Sequence, residues 1–180
     1  MDLPEADSQP RTVYVDARNE VWFAEKTGNH IGRIDKRAWT YTRWKIPTAV
    51  AWPLSLISDA SGDIWFAEMR SDKLGVVDRK SGRITEYALP VQSAPFKLVY
   101  DKPRNVMWIS TVFYNAILRF DLTERRVTEV YKVPAEGAWV GGLDADQDGC
   151  LWFTEQFANK VGRLCFNKAS AATGMPVRRP

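Results

Sequence analysis

Three glutamates close the same short phrase at three places in this chain. They are Glu25, Glu68 and Glu155, and each follows a tryptophan by three residues, as in Val21-Trp22-Phe23-Ala24-Glu25. Carboxylate oxygens are the ligands that Mg²⁺ and Ca²⁺ take in proteins, so carboxylates repeated around a common axis could converge on a divalent cation. The phrase therefore marks three candidate metal ligands, although it does not indicate which repeat would hold the ion.

A cross-strand ion pair is the second interpretation of these glutamates. If a four-residue loop follows each phrase, the residues opposite the three glutamates are His30, Lys73 and Lys160. A fourth copy of the phrase ends in Thr111 instead, and its opposite residue is Ala116. Acid and base are present together or absent together, as expected of pairs that each contribute roughly 0.2 to 1 kcal/mol. The sequence leaves both interpretations open.

His30 is the only histidine of the chain. A catalytic base needs an orienting partner and a substrate pocket, and the sequence indicates neither at this position. We interpret His30 as a pairing residue, in the place that lysine takes in two other repeats. The chain also has no glycine-rich phosphate loop and no serine nucleophile elbow, which argues against the enzyme classes that depend on them.

The same register places an arginine opposite three of the four repeated tryptophans, where its guanidinium can lie over the indole ring. A feature that recurs in every repeat usually maintains the fold, so we interpret these pairs as scaffold, with a ligand site as the alternative. The second repeat departs from the pattern, because Val76 faces Trp65. The predicted structural pairs are Trp22 with Arg33, Trp108 with Arg119, and Trp152 with Arg163.

Only two cysteines occur, Cys150 and Cys165, and both lie in the last repeat. The register makes them directly opposed across a hairpin, a separation that suits a disulfide. Two free thiols are the alternative. Neither cysteine belongs to a metal-ligand spacing or a thioredoxin-type pair.

The run from Asp144 to Gly149, followed by Glu155, satisfies the written pattern of an EF-hand calcium loop. That motif needs a helix on either side, whereas strand patterns flank this one, and we reject it. Asp146 corresponds to Asp16 of the first repeat, so hairpin chemistry explains most of the match. A weak calcium site of a different kind stays as the alternative.

These positions are set by an internal repeat, because the tryptophans recur at steps of 43, 43 and 44 residues. Apolar residues alternate with period two, and an Asn or Gly three residues before each tryptophan predicts a tight hairpin. Four antiparallel strands in about 43 residues indicate the blade of a β-propeller, so the chain is predicted to be all-β. The predicted blades cover about 11–47, 53–90, 95–134 and 139–168, the last with a degraded fourth strand, and a tail covers 169–180.

A proline stands 18 residues before each repeated tryptophan, and Leu3-Pro4 at the start resembles the stub of a preceding strand. We therefore expect an incomplete segment of a six- or seven-bladed propeller, closed by further blades or by a second copy in a homodimer. The four prolines are Pro4, Pro47, Pro90 and Pro134.

The composition and net charge of the chain limit the classes of binding partner that we expect. The 180 residues are 45% hydrophobic with a net charge of +3, which indicates a globular chain whose scattered basic residues argue against nucleic-acid binding. No apolar run approaches the roughly 18 to 20 residues that span a bilayer, so we expect no membrane partner. The start lacks the pattern of a signal peptide, and the compartment stays open because the amino terminus looks truncated.

The stretch from Leu151 to Leu164, LWFTEQFANKVGRL, together with ITEYALP at Ile84 to Pro90, resembles the repeats of the streptogramin lyase (virginiamycin B lyase) family. Weaker copies lie at 29–35 and 72–78. The likeness runs through nearly the whole chain. It is specific for this type of propeller and much less specific for activity, since a fold does not determine a function.

The resemblance implies a seven-bladed propeller in which Mg²⁺, held by glutamates, polarises a cyclic depsipeptide antibiotic. A histidine then takes a proton, and the ester linkage opens by elimination. The family's metal-binding glutamate matches Glu25, Glu68 and Glu155, with the blade unassigned. Its catalytic histidine, 14 residues earlier, falls here on Arg11, Leu54 and Gly141, with Phe96 or Lys97 in the third repeat.

We therefore predict a streptogramin lyase-like propeller that is inactive as an isolated chain, because the catalytic histidine is not matched. The alternative is a non-catalytic propeller that binds a small molecule, a peptide or a protein. Whether the chain acts as an enzyme stays open, its catalytic residues are unassigned, and Mg²⁺ is expected by resemblance alone.

Overall fold

The computed structural model describes residues 2–3 and 6–166. Within them, fifteen β-strands form four separate antiparallel sheets, each running in chain order. β1–β4 form blade 1, β5–β8 blade 2, β9–β12 blade 3 and β13–β15 blade 4. The strands are β1 (Pro10–Val15), β2 (Val21–Glu25), β3 (His30–Asp35), β4 (Thr40–Lys45), β5 (Pro53–Ser58), β6 (Ile64–Glu68), β7 (Lys73–Val77), β8 (Ile84–Ala88), β9 (Pro95–Asp101), β10 (Val106–Thr111), β11 (Ala116–Asp121), β12 (Arg126–Lys132), β13 (Val140–Ala145), β14 (Leu151–Glu155) and β15 (Lys160–Leu164).

This architecture confirms the all-β fold and the partial propeller. Pro4 and the degraded strand and tail expected at 169–180 lie outside the described residues. In the part of the chain that the structure describes, no helix has the length and apolar character needed to cross a membrane.

An aspartate at the end of each first strand locks the hairpin to the tryptophan. Asp16 accepts the backbone N–H groups of Arg18 and Glu20 at 2.9 and 2.8 Å, and the indole N–H of Trp22 at 3.2 Å. The same indole-to-aspartate bond recurs from Trp65 to Asp59 at 2.8 Å, from Trp108 to Asp101 at 3.1 Å, and from Trp152 to Asp146 at 2.8 Å. Asp146 therefore has the hairpin role that its sequence position predicts.

Each blade packs through two faces, a leading face toward the preceding blade and a trailing face toward the following one. Because side chains alternate along a strand, the repeated tryptophan lies on the trailing face and the residue after it on the leading face. Trp22 packs in one core cluster with Phe66 of blade 2. Trp65 packs with Ile109 of blade 3, and Trp108 with Phe153 of blade 4. The three core clusters thus lie between blades.

A phenylalanine on the second strand and a glycine on the third strand form a complementary pair on three leading faces. A Cβ atom added at the glycine would overlap the phenylalanine ring. Blade 3 instead pairs Ile109 with Leu118. The glycine pairs are Phe23 with Gly32, Phe66 with Gly75, and Phe153 with Gly162.

The connectors between blades are held by a residue in the left-handed backbone region. Asn29, with φ of 60°, donates its amide N–H groups to the carbonyls of Ile46 and Thr48 and accepts the N–H of Ala51. Asn115 holds the third connector in the same way, whereas Asp72 holds the second by accepting the backbone N–H groups of Gln92 and Ala94. The second-to-third-strand loops and the connectors consequently lie at one end of the segment.

Candidate functional site

The three glutamates lie at this same end, which we call the glutamate end. Each is the last residue of the second strand in its blade. The residues opposite them are His30, Lys73 and Lys160, as the sequence predicts. The shared register does not give them shared surroundings.

Glu25 is fully buried and is held by a strand-4 arginine. Both of its carboxylate oxygens accept from Nη1 of Arg43, at 3.1 and 3.4 Å. The predicted partner, His30, is farther away, with its Nδ1 atom 3.9 Å from the carboxylate. Nδ1 itself is buried without a hydrogen bond. The main ion pair of Glu25 is therefore one that the register argument did not identify.

Glu68 is also fully buried, but among the residues that the structure describes no cation lies within ion-pair distance of it. Its Oε2 atom accepts the hydroxyl of Ser71 at 2.6 Å, while Oε1 has no hydrogen-bond partner. Lys73 turns instead to Glu86, at 3.3 Å, and to the hydroxyl of Thr48, at 2.6 Å. Burial raises the pKa of Glu68 to about 7, against the opposing effect of the Ser71 hydrogen bond.

Glu155 differs again. It is 7% exposed, and its opposite residue, Lys160, is exposed. Among the described residues, neither side chain takes part in an ion pair within 4 Å. The three predicted partners are thus opposite their glutamates in register. Among the described residues only His30 lies within 4 Å of its glutamate, Glu25.

The glutamate end also carries two connector tryptophans that the sequence interpretation missed. Trp139 contacts the rings of Phe113 and Phe157, with centroids 5.6 and 5.2 Å away. Those phenylalanines are 65% and 68% exposed. We call Phe113, Trp139 and Phe157 the aromatic row. The signal available in the sequence was a tryptophan directly before the first strand of a blade.

Trp52 has the equivalent position before blade 2, and cations flank it. The Nζ atom of Lys26 lies 4.0 Å from its ring centroid, and Cζ of Arg70 lies 4.7 Å away. The glutamate end is therefore aromatic beside blades 3 and 4 and cationic beside blades 1 and 2.

The predicted tryptophan–arginine pairs form at two of three sites. Arg33 lies 5.5 Å from the centroid of Trp22, and Arg163 lies 5.3 Å from that of Trp152. Arg119 turns instead to Asp121 and Glu129. At this site Phe166 stacks on the ring of Trp108, with centroids 4.8 Å apart.

The two cysteines lie one residue pair beyond the Leu151–Leu164 pair of β14 and β15. The structure joins Cys150 and Cys165 by a disulfide, with Cα atoms 4.2 Å apart. The bond ties the start of β14 to the end of β15 in the last blade.

Known proteins identify the type of propeller. A sequence profile of the virginiamycin B lyase family matches residues 1–178. This chain belongs to the virginiamycin B lyase family. The resemblance read from the repeats is thereby confirmed.

Three solved lyases superimpose closely on this family member. Virginiamycin B lyase from Staphylococcus aureus is 31% identical, with a TM-score of 0.83, over 90% of this chain and 54% of that one. A catalytically inactive histidine-to-alanine variant of the Staphylococcus aureus lyase, solved with quinupristin, is 30% identical over 92% of this chain and 55% of that one, with a TM-score of 0.84. A streptogramin B lyase is 30% identical over 91% and 54%, with a TM-score of 0.83. The chain thus spans about half the length of these lyases, and no curated protein matches it.

The family's histidine position, 14 residues before the glutamate, falls in a β-bulge of the first strand in every blade. The register shifts within Pro10–Thr12, Pro53–Leu56, Pro95–Leu98 and Val140–Leu143. Bulges re-aim side chains and often lie next to active sites. Here they hold Arg11, Leu54 with Ser55, Phe96 with Lys97, and Gly141 with Gly142.

Two of these bulges are fixed by hydroxyl groups from the neighbouring strand. Ser110 accepts the backbone N–H of Lys97 at 3.1 Å, and Thr154 accepts that of Gly142 at 2.8 Å. Blades 1 and 2 have Ala24 and Ala67 at the corresponding positions. The bulge therefore recurs in all four blades, and none of the four bulges holds a histidine.

The magnesium that the family implies would take carboxylate oxygens as ligands. Within residues 2–3 and 6–166, no three His, Cys, Asp or Glu side chains are grouped as a metal site would require. Both oxygens of Glu25 are bound by Arg43, whereas Glu68 offers one unpartnered oxygen. Mg²⁺ therefore stays an expectation from the family resemblance.

Proposed function

We propose that this chain binds a streptogramin-like cyclic depsipeptide at its glutamate end and does not open the ring by itself. Family membership and the quinupristin found in the inactive Staphylococcus aureus lyase support this ligand class. The ring-opening elimination with Mg²⁺ that the family implies would then require an assembly that supplies the missing groups.

The aromatic row supports binding. Phe113 and Phe157 are exposed on either side of Trp139, so the three rings present an apolar surface with little side-chain entropy to lose. Ligand sites typically combine such aromatic surface with a few polar groups. The flanking cations at Lys26 and Arg70 add polar contacts on the same end.

The strongest support for the absence of catalysis is the occupancy of the four bulges, none of which holds a histidine. His30 lies at the start of β3, with its side chain 15% exposed beside Glu25. Glu68 has a pKa of about 7, in the range of an effective general base. Its carboxylate is buried, however, so a ligand on the surface cannot reach it.

Titration with quinupristin tests the proposal. We expect saturable quenching of tryptophan fluorescence, with no ring-opened product by liquid chromatography in the presence or absence of MgCl₂. Trp139→Ala should weaken binding by about tenfold, since it removes the central ring of the row. Trp39→Ala is the matched control, because Trp39 is 65% exposed in the turn at the opposite end.

Ring opening above the buffer rate would contradict the non-catalytic part of the proposal. Equal affinities of the wild-type chain and the Trp139→Ala variant would contradict the aromatic row as the binding surface.

A further inference from the structure

Two cations lie against the same indole ring between blades 1 and 2. Lys26 comes from the second-to-third-strand loop of blade 1, Arg70 from that of blade 2, and Trp52 from the connector that joins these blades. Among the described residues, neither cation lies within 4 Å of a carboxylate. Both neighbouring blades belong to the segment, so the exposure of this group does not depend on a blade beyond its ends.

The backbone fixes the positions of the two cations. Arg70 donates its backbone N–H to the carbonyl of Ala51 in the connector at 3.1 Å. Lys26 donates its own to the carbonyl of Gln9, in the segment before β1, at 3.0 Å. Because these bonds hold the loops in place, less conformational entropy is lost when a ligand binds to them.

The connector before blade 4 has the same scaffold with a different surface. Trp139 has the left-handed backbone of Trp52, with φ of 52° and 55°. Phe157 makes the same backbone bond to the connector before blade 4 as Arg70 makes to the connector before blade 2. Arg70 therefore takes the place of an exposed ring of the aromatic row.

The fold does not require cations at these two positions. The residues equivalent to Arg70 in the other blades are Thr27, Phe113 and Phe157. The residues equivalent to Lys26 are Met69, Val112 and Gln156. Two like charges on one ring repel each other, and a bound anion would be stabilised by both of them. The pair is thus specific to blades 1 and 2 and is suited to an anionic ligand.

The chemistry of cyclic esters indicates which anion this would be. An elimination that opens a cyclic ester breaks the bond between the ester oxygen and its alkyl carbon. The electron pair stays on the oxygen as a carboxylate, while the neighbouring carbon loses a proton and a double bond forms. The opened chain therefore has a negative charge that the ring lacks, and Arg and Lys bind carboxylates through charge-assisted hydrogen bonds.

We propose that Lys26 and Arg70, beside Trp52, form an anion site that binds the carboxylate of a ring-opened depsipeptide in preference to the cyclic ester. This inference rests on the proposed function, because it concerns the same end of the segment and the same class of ligand. The reaction that supplies the ligand is an ester-opening elimination, so the chain would take up the product of a lyase.

Isothermal titration calorimetry with three related ligands tests this preference. Quinupristin is opened by an active lyase to give the acid, and part of the acid is methylated at the new carboxylate to give a neutral open chain. The wild-type chain should bind the acid about tenfold more tightly than the methyl ester or quinupristin itself at low salt. The difference should shrink at high salt, because salt screens the two cations.

Substitution of both cations should abolish the preference. Lys26→Gln with Arg70→Gln is expected to weaken binding of the acid about tenfold and to leave the affinity for the methyl ester unchanged. Arg37→Gln with Lys80→Gln is the matched control, because it removes two exposed positive charges from turns at the opposite end. An unchanged thermal melt and an unchanged affinity for the methyl ester show that a variant folds and retains the aromatic row.

The outcomes separate this inference from the proposed function. Equal affinities of the wild-type chain for the acid and the methyl ester, or a preference that the double substitution leaves intact, would overturn this inference alone. Displacement of the acid by equimolar inorganic phosphate would assign the site to phosphate and would also overturn it. Binding of none of the three ligands would contradict the proposed function and this inference with it.

Discussion

Blades 2 and 4 carry almost the same tryptophan phrase, Ile64–Glu68 and Leu151–Glu155, in different physical surroundings. Blade 2 has a neighbour on each side, and all five of its phrase residues are buried. In blade 4 the phrase alternates between buried and exposed positions. The comparison teaches that the phrase specifies a strand and a register, while the neighbouring blade determines burial.

The same difference extends to the glutamates. Glu68 loses its opposite lysine to Glu86 and Thr48 and is left with one unpartnered oxygen. Blade 4 also differs at the end of its third strand. There Cys165, which is disulfide-bonded to Cys150, takes the position that aspartate has in the other repeats. Equivalent residues in a repeat therefore need not have equivalent chemistry.

The largest expected effect is a difference in the free energy of unfolding between variants at Trp65 of blade 2 and at Trp152 of blade 4. Trp65→Ala should lower the free energy of unfolding by about 3–5 kcal/mol, because the indole packs between Tyr87 and Phe120 and its loss leaves a cavity. Trp152→Ala should cost less, about 1 kcal/mol, since 42% of the residue is already exposed. Both are measured by urea unfolding at the same protein concentration. Equal losses would contradict the comparison.

The next effect belongs to the disulfide of blade 4. Reduction should lower stability by about 3 kcal/mol, the magnitude expected for a closed loop of about 15 residues. Hydrogen exchange should report the loss first at β13–β15, because this blade has an exposed face. In a Cys150→Ser, Cys165→Ser variant, the reductant should have no such effect. Uniform exchange in all blades after reduction would argue against a local role.

Glu68 should make blade 2 sensitive to pH. The unfolded chain releases this proton near the ordinary value of 4.5, and the folded protein near 7. Because the folded state holds the proton more tightly, stability falls as pH rises from about 4.5 through about 7. The loss approaches about 3 kcal/mol above pH 7. Glu68→Gln should remove this component, so urea unfolding at pH 5 and pH 8 should give a smaller difference than in the wild-type chain. Parallel pH profiles would refute the assignment.

The smallest effect isolates the hydrogen bond from Ser71. Its hydroxyl stabilises the charged form of Glu68, so Ser71→Ala should raise the pKa of Glu68 above about 7. The net loss of stability should be about 1 kcal/mol. A carbon-13 NMR titration of the carboxylate measures the shift, and a lower pKa would contradict this role.

Much of the fold was predictable because local signals agree with one another. The 43-residue period, the hairpin residues before each tryptophan and the period-two alternation give the strands and their register without any tertiary information. The register also places Cys150 opposite Cys165, although it leaves a disulfide and two free thiols as alternatives, and the structure has the disulfide. The hydrogen bonds from indole to aspartate are less directly predictable from the register, although Asp16 and its equivalents recur at the end of each first strand.

The site was less predictable, because it depends on choices among several nearby partners. From the sequence, Lys73 could pair with either Glu68 or Glu86. In the structure it binds Glu86 together with the hydroxyl of Thr48, which comes from the connector before blade 2. Phe113 and Phe157 lie at the same repeat position, and Trp139 corresponds to Trp52, but alignment of the repeats does not show that the three rings contact one another. Phe166 stacks on Trp108 from the next blade, a contact that alignment of the repeats cannot show.

The pairing of phenylalanine with glycine on the leading faces constrains the order in which these repeats can change. Starting from Phe66 and Gly75, a large residue at the glycine position would collide with the ring at once. Shortening the phenylalanine first leaves a cavity, which a marginally stable protein survives more easily and which a second substitution can fill. Blade 3, with Ile109 and Leu118, has the end point of such a path. Divergence between blades is therefore expected to proceed through a transient loss of volume, with the aromatic residue replaced before the glycine.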